Sequence, residues 1–251
     1  MGEVPRHHDN IDSRTDRFGR TRALIVVAIV SIAAVVTNST VTLLAVQLQS
    51  VGGDVLTVGV NLLAIQASFL AVGVGYVWYR PTVPVSVRLP TQGELRLATA
   101  ALAAGLGTVT LSFASTDVLL LAIEISPGFT GYAGYSISSV AVLLVGALLS
   151  LLVVGPVEEF LFRGVVQGRL RLAFEPVRAI GLAGLVFAFF YLYPILLLEP
   201  PAAVIVHTTV YYTVMGVIFG VTYEQAGTLV VPALVHGLFT VTLFLAMVPF
   251  A

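Results

Sequence analysis

Seven long apolar segments constrain the fold of this chain more than any other feature of its sequence. A helix needs about 20 consecutive, mostly apolar residues to cross a bilayer. The chain has 251 residues, of which 58% are hydrophobic and 10% are charged, which is too few charges for the surface of a soluble protein. The segments of sufficient length lie near 23–48, 54–79, 97–115, 136–157, 179–198, 202–223 and 229–250. The sequence therefore predicts an all-α, polytopic transmembrane bundle of about seven spans.

The chain divides into a polar beginning and an apolar remainder. Residues 1–21 are polar enough for a disordered cytoplasmic tail, and residues 22–251 are predicted to form a single transmembrane helical domain. We expect the first span to remain in place, because no convincing A-x-A cleavage site follows it. Cysteine is absent, which excludes disulfides, thiol catalysis and cysteine-ligated metals.

Arginine is confined to alternate connections between the predicted spans. It occurs within residues 6–22, 80–96 and 163–178, and the connections between these contain none. Basic residues concentrate on the cytoplasmic side of membrane proteins. This distribution predicts a cytoplasmic N-terminus and an external C-terminus. The absence of lysine and cysteine from a compact seven-span chain favours a prokaryotic plasma membrane.

Two connections are predicted to have structure of their own. Residues 80–96, "RPTVPVSVRLPTQGELR", are punctuated by proline and predict an extended stretch that leads into the third span. Residues 116–135, "TDVLLLAIEISPGFTGYAGY", are too short and too broken to span. They predict a surface or re-entrant helix that ends at Pro127 and Gly128.

The segment "VEEFLFRG", residues 157–164, places three charged side chains directly after a long uncharged run. A charge at the centre of a bilayer costs at least ~2.5 kcal/mol, so such residues usually face a polar interior and mark function. Glu159 and Arg163 are four residues apart and can pair on one helical face. Glu158 is rotated by about 100° and has no local cation, as a general base would require. Pro156 is expected to kink or locally unwind the helix.

Histidine offers a partner for these glutamates in a later span. His236 lies about 12 Å into the last span from the cytoplasmic side, at a depth comparable with that of Glu158. Thr240 follows one turn later and could hydrogen-bond a ligand or its own helix. His207 lies near the outer end of the sixth span, where packing or interface hydrogen bonding is expected. Two alternatives stay open: the charged trio is an interfacial cluster, and His236 is a packing residue.

At these residues the chain resembles the CAAX protease and bacteriocin-processing (Abi) family of intramembrane metalloproteases. The family's EExxxR motif is present in "GPVEEFLFRG", with Glu158, Glu159 and Arg163. Its late motif, a histidine followed four residues later by a polar residue, is matched in "AGTLVVPALVHGLFT" by His236 and Thr240. The resemblance covers roughly residues 80–250 and implies a bundle of the CAAX-protease type.

A third motif of the family, F-x-x-x-H, is matched only in part. Phe187 takes the place of the phenylalanine, and Tyr191 stands where the family has histidine. Counted from Arg178, Tyr191 lies about 20 Å into its helix, level with Glu158. A phenol with a pKa of about 10 is a poor metal ligand or base near neutral pH, whereas imidazole is a good one.

The resemblance implies a membrane-embedded endopeptidase in which Glu158 activates water. By the same resemblance, Arg163 holds Glu159, and His236 acts as a metal ligand or an oxyanion donor. A divalent metal, zinc by preference, would then be held by His236 and Glu158. Tyr191 would donate a hydrogen bond to the tetrahedral intermediate. The substrate would be a peptide or a membrane-associated protein, as in bacteriocin maturation, self-immunity or another membrane-protein processing role.

Two other classes of function remain open. One is a catalytically degenerate member of the family, which binds peptides or a partner protein without cutting them. The other is a small transporter that uses Glu158 and Glu159 as a proton or cation site. Transport ranks last, because neither an inverted repeat nor paired broken helices are visible. The lipid bilayer is an expected partner in every case, and a nucleic acid is not.

Overall fold

The computed structural model describes residues 8–49, 53–80, 85–123, 139–197 and 199–250. These residues are almost entirely helical, and none of those described lies in a strand. Seven helices are long and apolar enough to cross a membrane. The predicted all-α class and the predicted number of spans are therefore confirmed.

The seven helices are numbered here in chain order. They are α1 (His8–Gln49), α2 (Asp54–Tyr79), α3 (Gln92–Ile123), α4 (Val140–Arg171), α5 (Pro176–Leu196), α6 (Ala202–Ala226) and α7 (Val230–Met247), followed by a short 3-10 turn at Val248–Phe250. α1 begins at His8, within the segment predicted as a polar tail, and the membrane-compatible part of it starts at Gly19. The first seven residues lie outside the described part of the chain.

α4 is continuous, but its hydrogen bonding changes from α-helical to π-helical and back twice along its length. Two π-helical stretches, Ser150–Val154 and Phe160–Gln167, flank the short α-helical stretch Gly155–Glu159. Pro156 lies in that central stretch; it has no N–H to donate, and its ring crowds the preceding turn. The local unwinding expected at this proline is therefore present as π-helical turns, which are common at functional sites.

Glycines bring the backbones of α4 and α7 into direct contact. A Cβ atom on Gly155 would lie 2.6 Å from the carbonyl oxygen of Ala233 and 2.9 Å from the amide nitrogen of Gly237. A Cβ on Gly237 would lie 2.9 Å from the Cα of Leu151. Small residues allow such close approach between membrane helices. The contact lies one turn before the paired glutamates of α4 and next to the histidine of α7.

We expect Gly155→Ala to destabilise the protein by about 1–3 kcal/mol, because the added methyl group forces α4 and α7 apart. Thermal unfolding in detergent measures the loss. Gly181→Ala is the matched control, since nothing lies within 4 Å of a Cβ at that position. Equal unfolding temperatures for the two variants would show that the α4–α7 contact is looser than described.

The connection before α3 is not helical over residues 85–91 and is hydrogen-bonded to the turn between α6 and α7. Ser86 accepts a hydrogen bond from the amide of Leu229 at 2.9 Å. The Thr228 hydroxyl accepts from the amide of Arg88 at 3.1 Å and donates to the carbonyl of Arg88 at 3.0 Å. Arg88 also donates from its guanidinium to the carbonyl of Ala226 at 2.7 Å. Residues 85–91 of the predicted stretch lie outside any helix, whereas residues 92–96 already belong to α3.

The prediction of a separate surface or re-entrant helix at 116–135 is wrong for residues 116–123. Residues 116–123 continue α3 without interruption to Ile123. Residues 116–123 contain neither glycine nor proline, so no helix-breaking residue interrupts α3 over this stretch. The remainder of that prediction, including Pro127 and Gly128, falls on residues outside those described.

Candidate active site

The paired glutamates of α4 are buried inside the bundle. Glu158 is 5% exposed and Glu159 is fully buried, although α4 is otherwise an apolar helix. Helices α2, α5, α6 and α7 each contribute a group that contacts these two carboxylates or their arginine. Burial of this kind rules out the alternative of a solvated charge cluster at the interface.

Glu159 is held on both sides by charged and polar groups. Arg163 donates from Nη1 to Glu159 Oε1 at 3.1 Å, and its Nε lies 3.1 Å from Oε2 without the alignment of a hydrogen bond. Nη2 of the same guanidinium donates to the carbonyl of Gly216 on α6 at 2.9 Å. The predicted i, i+4 pair is thus confirmed. Both partners are buried, so Glu159 is an ion-paired carboxylate.

Aromatic rings enclose the guanidinium that balances this charge. Arg163 lies 4.7 Å from the ring centroid of Phe187 and 5.3 Å from that of Phe219. A cation over a ring face is stabilised by the ring quadrupole. Phe187, the residue shared with the F-x-x-x-H motif, therefore supports the ion pair, and its ring also packs against those of Tyr191 and His236, with centroids 4.9 and 5.9 Å away.

His236 connects the two glutamates. Its Nδ1 lies 2.8 Å from Glu159 Oε1, and its Nε2 lies 3.9 Å from Glu158 Oε2. An ionised carboxylate can only accept hydrogen bonds, so Nδ1 carries the proton that is donated to Glu159. This bond selects the tautomer and leaves Nε2 facing Glu158. Stacking on Phe219, with centroids 4.7 Å apart, fixes the plane of the ring.

Glu158 is held by two neutral donors instead of a cation. The Tyr191 hydroxyl donates to Oε2 at 2.8 Å, and the Gln66 amide donates from Nε2 to Oε1 at 3.0 Å. Each carboxylate oxygen therefore accepts one bond, and Glu158 is left without an arginine partner. The predicted asymmetry between the two glutamates is present in the structure, and Tyr191 lies at the depth expected for it.

Of two further residues predicted from the sequence, Thr240 lies beside the site and His207 lies away from it. Thr240 donates to the backbone carbonyl of His236 at 3.1 Å, so its hydroxyl hydrogen serves its own helix, which was the second of the two roles left open. His207 lies 3.1 Å from the hydroxyl of Ser115 and 3.3 Å from that of Ser112, both on α3. His207 thus links α6 to α3 by hydrogen bonds.

Sequence reasoning missed Gln66. It lies on α2, far from the charged motif in the chain, and only 2% of its surface is exposed. A glutamine within the apolar stretch "LLAIQASFLAV" is a signal that could have found it, because unpaired polar groups are costly in a membrane. Asn61 and Ser68 on the same helix carry the same signal, so the sequence does not single out Gln66.

The donor set does not fit a catalytic zinc centre. Such a centre usually has three protein ligands and one open position. Among the residues that the structure describes, no group of three or more His, Asp or Glu side chains is arranged to hold a metal ion. Glu158 and His236 supply two donors that face each other, while Glu159 is engaged by Arg163 and by the protonated nitrogen of His236.

The fold and the site define a class: a polytopic membrane protein with a buried glutamate–histidine pair at the contact of two spans. The model of the Rce1-like family, type II CAAX prenyl endopeptidases, matches residues 140–242. This match confirms the resemblance to the CAAX protease family, and at the level of the family it supports a protease. It includes the site residues of α4, α5, α6 and α7, whereas Gln66 of α2 lies outside it. No curated protein and no solved structure matches the chain.

Proposed function

We propose that the protein is a membrane-embedded endopeptidase of the CAAX type, in which Glu158 activates the attacking water. The observation that supports this proposal most is the set of contacts that surrounds the Glu158 carboxylate. It is a buried carboxylate held by two neutral donors, with Nε2 of His236 only 3.9 Å away. A buried carboxylate without an ion-pair partner is a competent general base.

The proposed reaction transfers one proton at a time. Glu158 takes a proton from water while the water oxygen bonds to the carbonyl carbon of the scissile peptide. The carbonyl electron pair moves to its oxygen, and the Tyr191 hydroxyl is the donor placed to stabilise the resulting oxyanion. Protonated Glu158 then gives its proton to the amide nitrogen, the C–N bond breaks, and the carboxylate is restored.

Glu159 and Arg163 support this chemistry indirectly, by orienting His236. The bond from Nδ1–H to Glu159 holds the imidazole in one tautomer and stabilises positive charge on the ring. Arg163 in turn pairs with Glu159 and holds it in place. The trio therefore orients His236, and only Glu158, Tyr191 and His236 face the reacting atoms.

The proposed substrate is the peptide segment of a membrane-associated protein or of a small membrane-active peptide. The matched family is named for prenylated CAAX proteins, so a lipid-anchored chain end is one candidate class. Bacteriocin maturation or self-immunity is the corresponding role in a prokaryotic plasma membrane, where we place the protein. A site within the spans is reached by substrates that partition into the bilayer.

A catalytically degenerate binder is the second candidate, and one observation favours it. Tyr191 replaces the histidine of the family and donates directly to Glu158 Oε2. A phenol in that position occupies an oxygen of the base and adds no second imidazole to the site. The binder would hold the same peptides in the same place without hydrolysing them.

Cleavage by purified protein distinguishes the two candidates. The protein is reconstituted in bilayer nanodiscs with prenylated CAAX-type peptides and with the same peptides lacking the prenyl group. Products are read by mass spectrometry, and binding is read by fluorescence anisotropy. Cleavage that requires Glu158 supports the endopeptidase, whereas saturable binding without products supports the binder. Neither cleavage nor binding would contradict both.

Tyr191→His tests the incomplete metal site separately. An imidazole at this position would add a third donor to Glu158 and His236, which is the usual number in catalytic zinc centres. We expect zinc affinity, measured by calorimetry, to rise at least about tenfold over wild type. An unchanged affinity would show that position 191 does not point toward Glu158 in solution.

Because the chain contains no cysteine, single cysteines can be introduced and labelled to test the orientation of the bundle in the membrane. Val87 and Glu199 are exposed at opposite ends of the bundle, in the connections after α2 and after α5. We expect a membrane-impermeant maleimide to label Glu199→Cys in intact cells and Val87→Cys only after permeabilisation. The reverse pattern would overturn the proposed cytoplasmic location of residues 80–96.

A further inference from the structure

Gln66 of α2 contacts the proposed base from outside the segment that matches the family. Its Nε2 donates to Glu158 Oε1 at 3.0 Å, and the side chain is 2% exposed. Because an ionised carboxylate only accepts hydrogen bonds, the amide nitrogen is the end of Gln66 that faces Glu158. The amide oxygen is thereby turned away from that contact but stays in the buried site.

The amide oxygen of Gln66 has no hydrogen-bond partner among the described residues. A buried carbonyl that is left unpaired costs about 1–3 kcal/mol, so such an atom calls for an explanation. A water molecule or a substrate N–H is the missing donor that the chemistry allows. The oxygen belongs to the same amide that holds the base, so a donor on it lies beside Glu158.

The packing of α2 holds Gln66 in this place. Phe69, three residues later, packs edge-on against Phe162 of α4 and Phe190 of α5, with ring centroids 6.1 and 5.3 Å away. Gly73, one turn further, admits the ring of Phe160 so closely that a Cβ would lie 2.6 Å from it. Residues at i, i+3 and i+7 share one helical face. That face of α2 is therefore fixed against α4.

We propose that Gln66 is a further catalytic residue: its N–H fixes Glu158, and its amide oxygen accepts a hydrogen bond from the attacking water. This inference rests on the proposed endopeptidase activity. One water O–H then points at Glu158, which takes that proton, and the other O–H points at Gln66, which remains neutral. The lone pair of the water oxygen is left to form the bond to the peptide carbonyl carbon, so the amide orients the nucleophile and exchanges no proton.

Gln66→Met tests this role, because it keeps an unbranched side chain of similar length and removes both amide groups. We expect kcat to fall about 10- to 100-fold while KM changes by less than about threefold, as for an interaction made in the transition state. Gln167→Met is the matched control. Gln167 is fully buried, donates to the carbonyl of Gly220 at 3.1 Å, and also has an amide oxygen without a partner among the described residues.

The control separates catalysis from stability. Both variants are expected to lower the unfolding temperature to a similar extent, whereas the control should keep kcat within about threefold of wild type. Equal losses of kcat in the two variants would overturn the proposed role, because they would report a shared structural defect. A loss expressed only in KM would overturn it as well.

A thermal double-mutant cycle tests the contact even if no substrate is cleaved. Gln66→Met should lower the unfolding temperature less in a Glu158→Leu background than in wild type, because the shared hydrogen bond is already lost. Additive losses would contradict the Gln66–Glu158 contact itself. A further outcome separates the contact from the activity: the cycle shows coupling, but wild-type protein cleaves no substrate. In that case the Gln66–Glu158 contact stands, whereas the proposed function fails and the catalytic role of Gln66 fails with it.

Discussion

Replacing Glu158 with glutamine is expected to lower kcat for peptide cleavage by about 10³-fold or more, because the amide cannot accept the proton of the attacking water. Glutamine has the same shape, and its oxygen can still accept the bond from Tyr191 or from Gln66. The fold and the peptide affinity should therefore persist. Initial rates with a quenched peptide, together with binding by anisotropy, measure the two quantities separately.

Glu224→Gln is the matched control for that loss. Glu224 is partly exposed at the end of α6, where it pairs with Arg171 at 3.0 Å. It takes no part in the proposed reaction, so its kcat should stay within about threefold of wild type. A Glu158→Gln variant that keeps more than about a tenth of wild-type kcat would remove Glu158 from the role of base.

Arg163→Met is expected to have the largest effect on stability, a loss of about 3–5 kcal/mol, because it leaves Glu159 charged and buried without its cation. Both members of the pair are almost completely shielded from solvent. The variant also removes the donor to the carbonyl of Gly216. Chemical unfolding in detergent micelles measures the change.

Two comparisons show whether this loss comes from the unpaired charge. Arg171→Met breaks a pair in which both side chains are about one-third exposed, and it should cost no more than about 1 kcal/mol. The double variant Glu159→Met with Arg163→Met should be more stable than Arg163→Met alone, since no charge remains buried. A double variant that is less stable than the single one would contradict the description of Glu159 as an ion-paired carboxylate.

Spacing along single helices was enough to predict much of the site. The four-residue separation of Glu159 and Arg163 determined their pairing, although the turn between them begins a π-helical stretch. A rise of about 1.5 Å per residue placed Tyr191 and His236 at the depth of Glu158. These predictions held because each depends on one helix and one reference point at the membrane surface.

Contacts between helices were not predictable in the same way. Gln66 reaches Glu158 only because one face of α2 packs against α4, and that choice depends on aromatic and glycine contacts between distant residues. The tautomer of His236 follows from a bond to Glu159, whose position depends on the close approach at Gly155. No local pattern in the sequence encodes either arrangement.

The prediction of where α3 ends failed for a different reason. Polar residues at 116 and 117 suggested a break, yet "TDVLLLAI" contains no residue that prevents helix formation. Helical hydrogen bonds persist past the apolar core of a span when no competing structure ends them. Hydropathy therefore marked the extent of the span correctly but not the end of the helix.

Cleavage in H₂¹⁸O tests the central claim most directly. A prenylated CAAX-type peptide is incubated with wild type and with Glu158→Gln, and the new C-terminus is read by mass spectrometry. Hydrolysis by water activated at Glu158 predicts one heavy oxygen atom in the new carboxylate with wild type and an intact peptide with the variant. Labelled product formed equally by both proteins would contradict the assignment of Glu158 as the base, and a peptide left intact by wild type would contradict the endopeptidase itself.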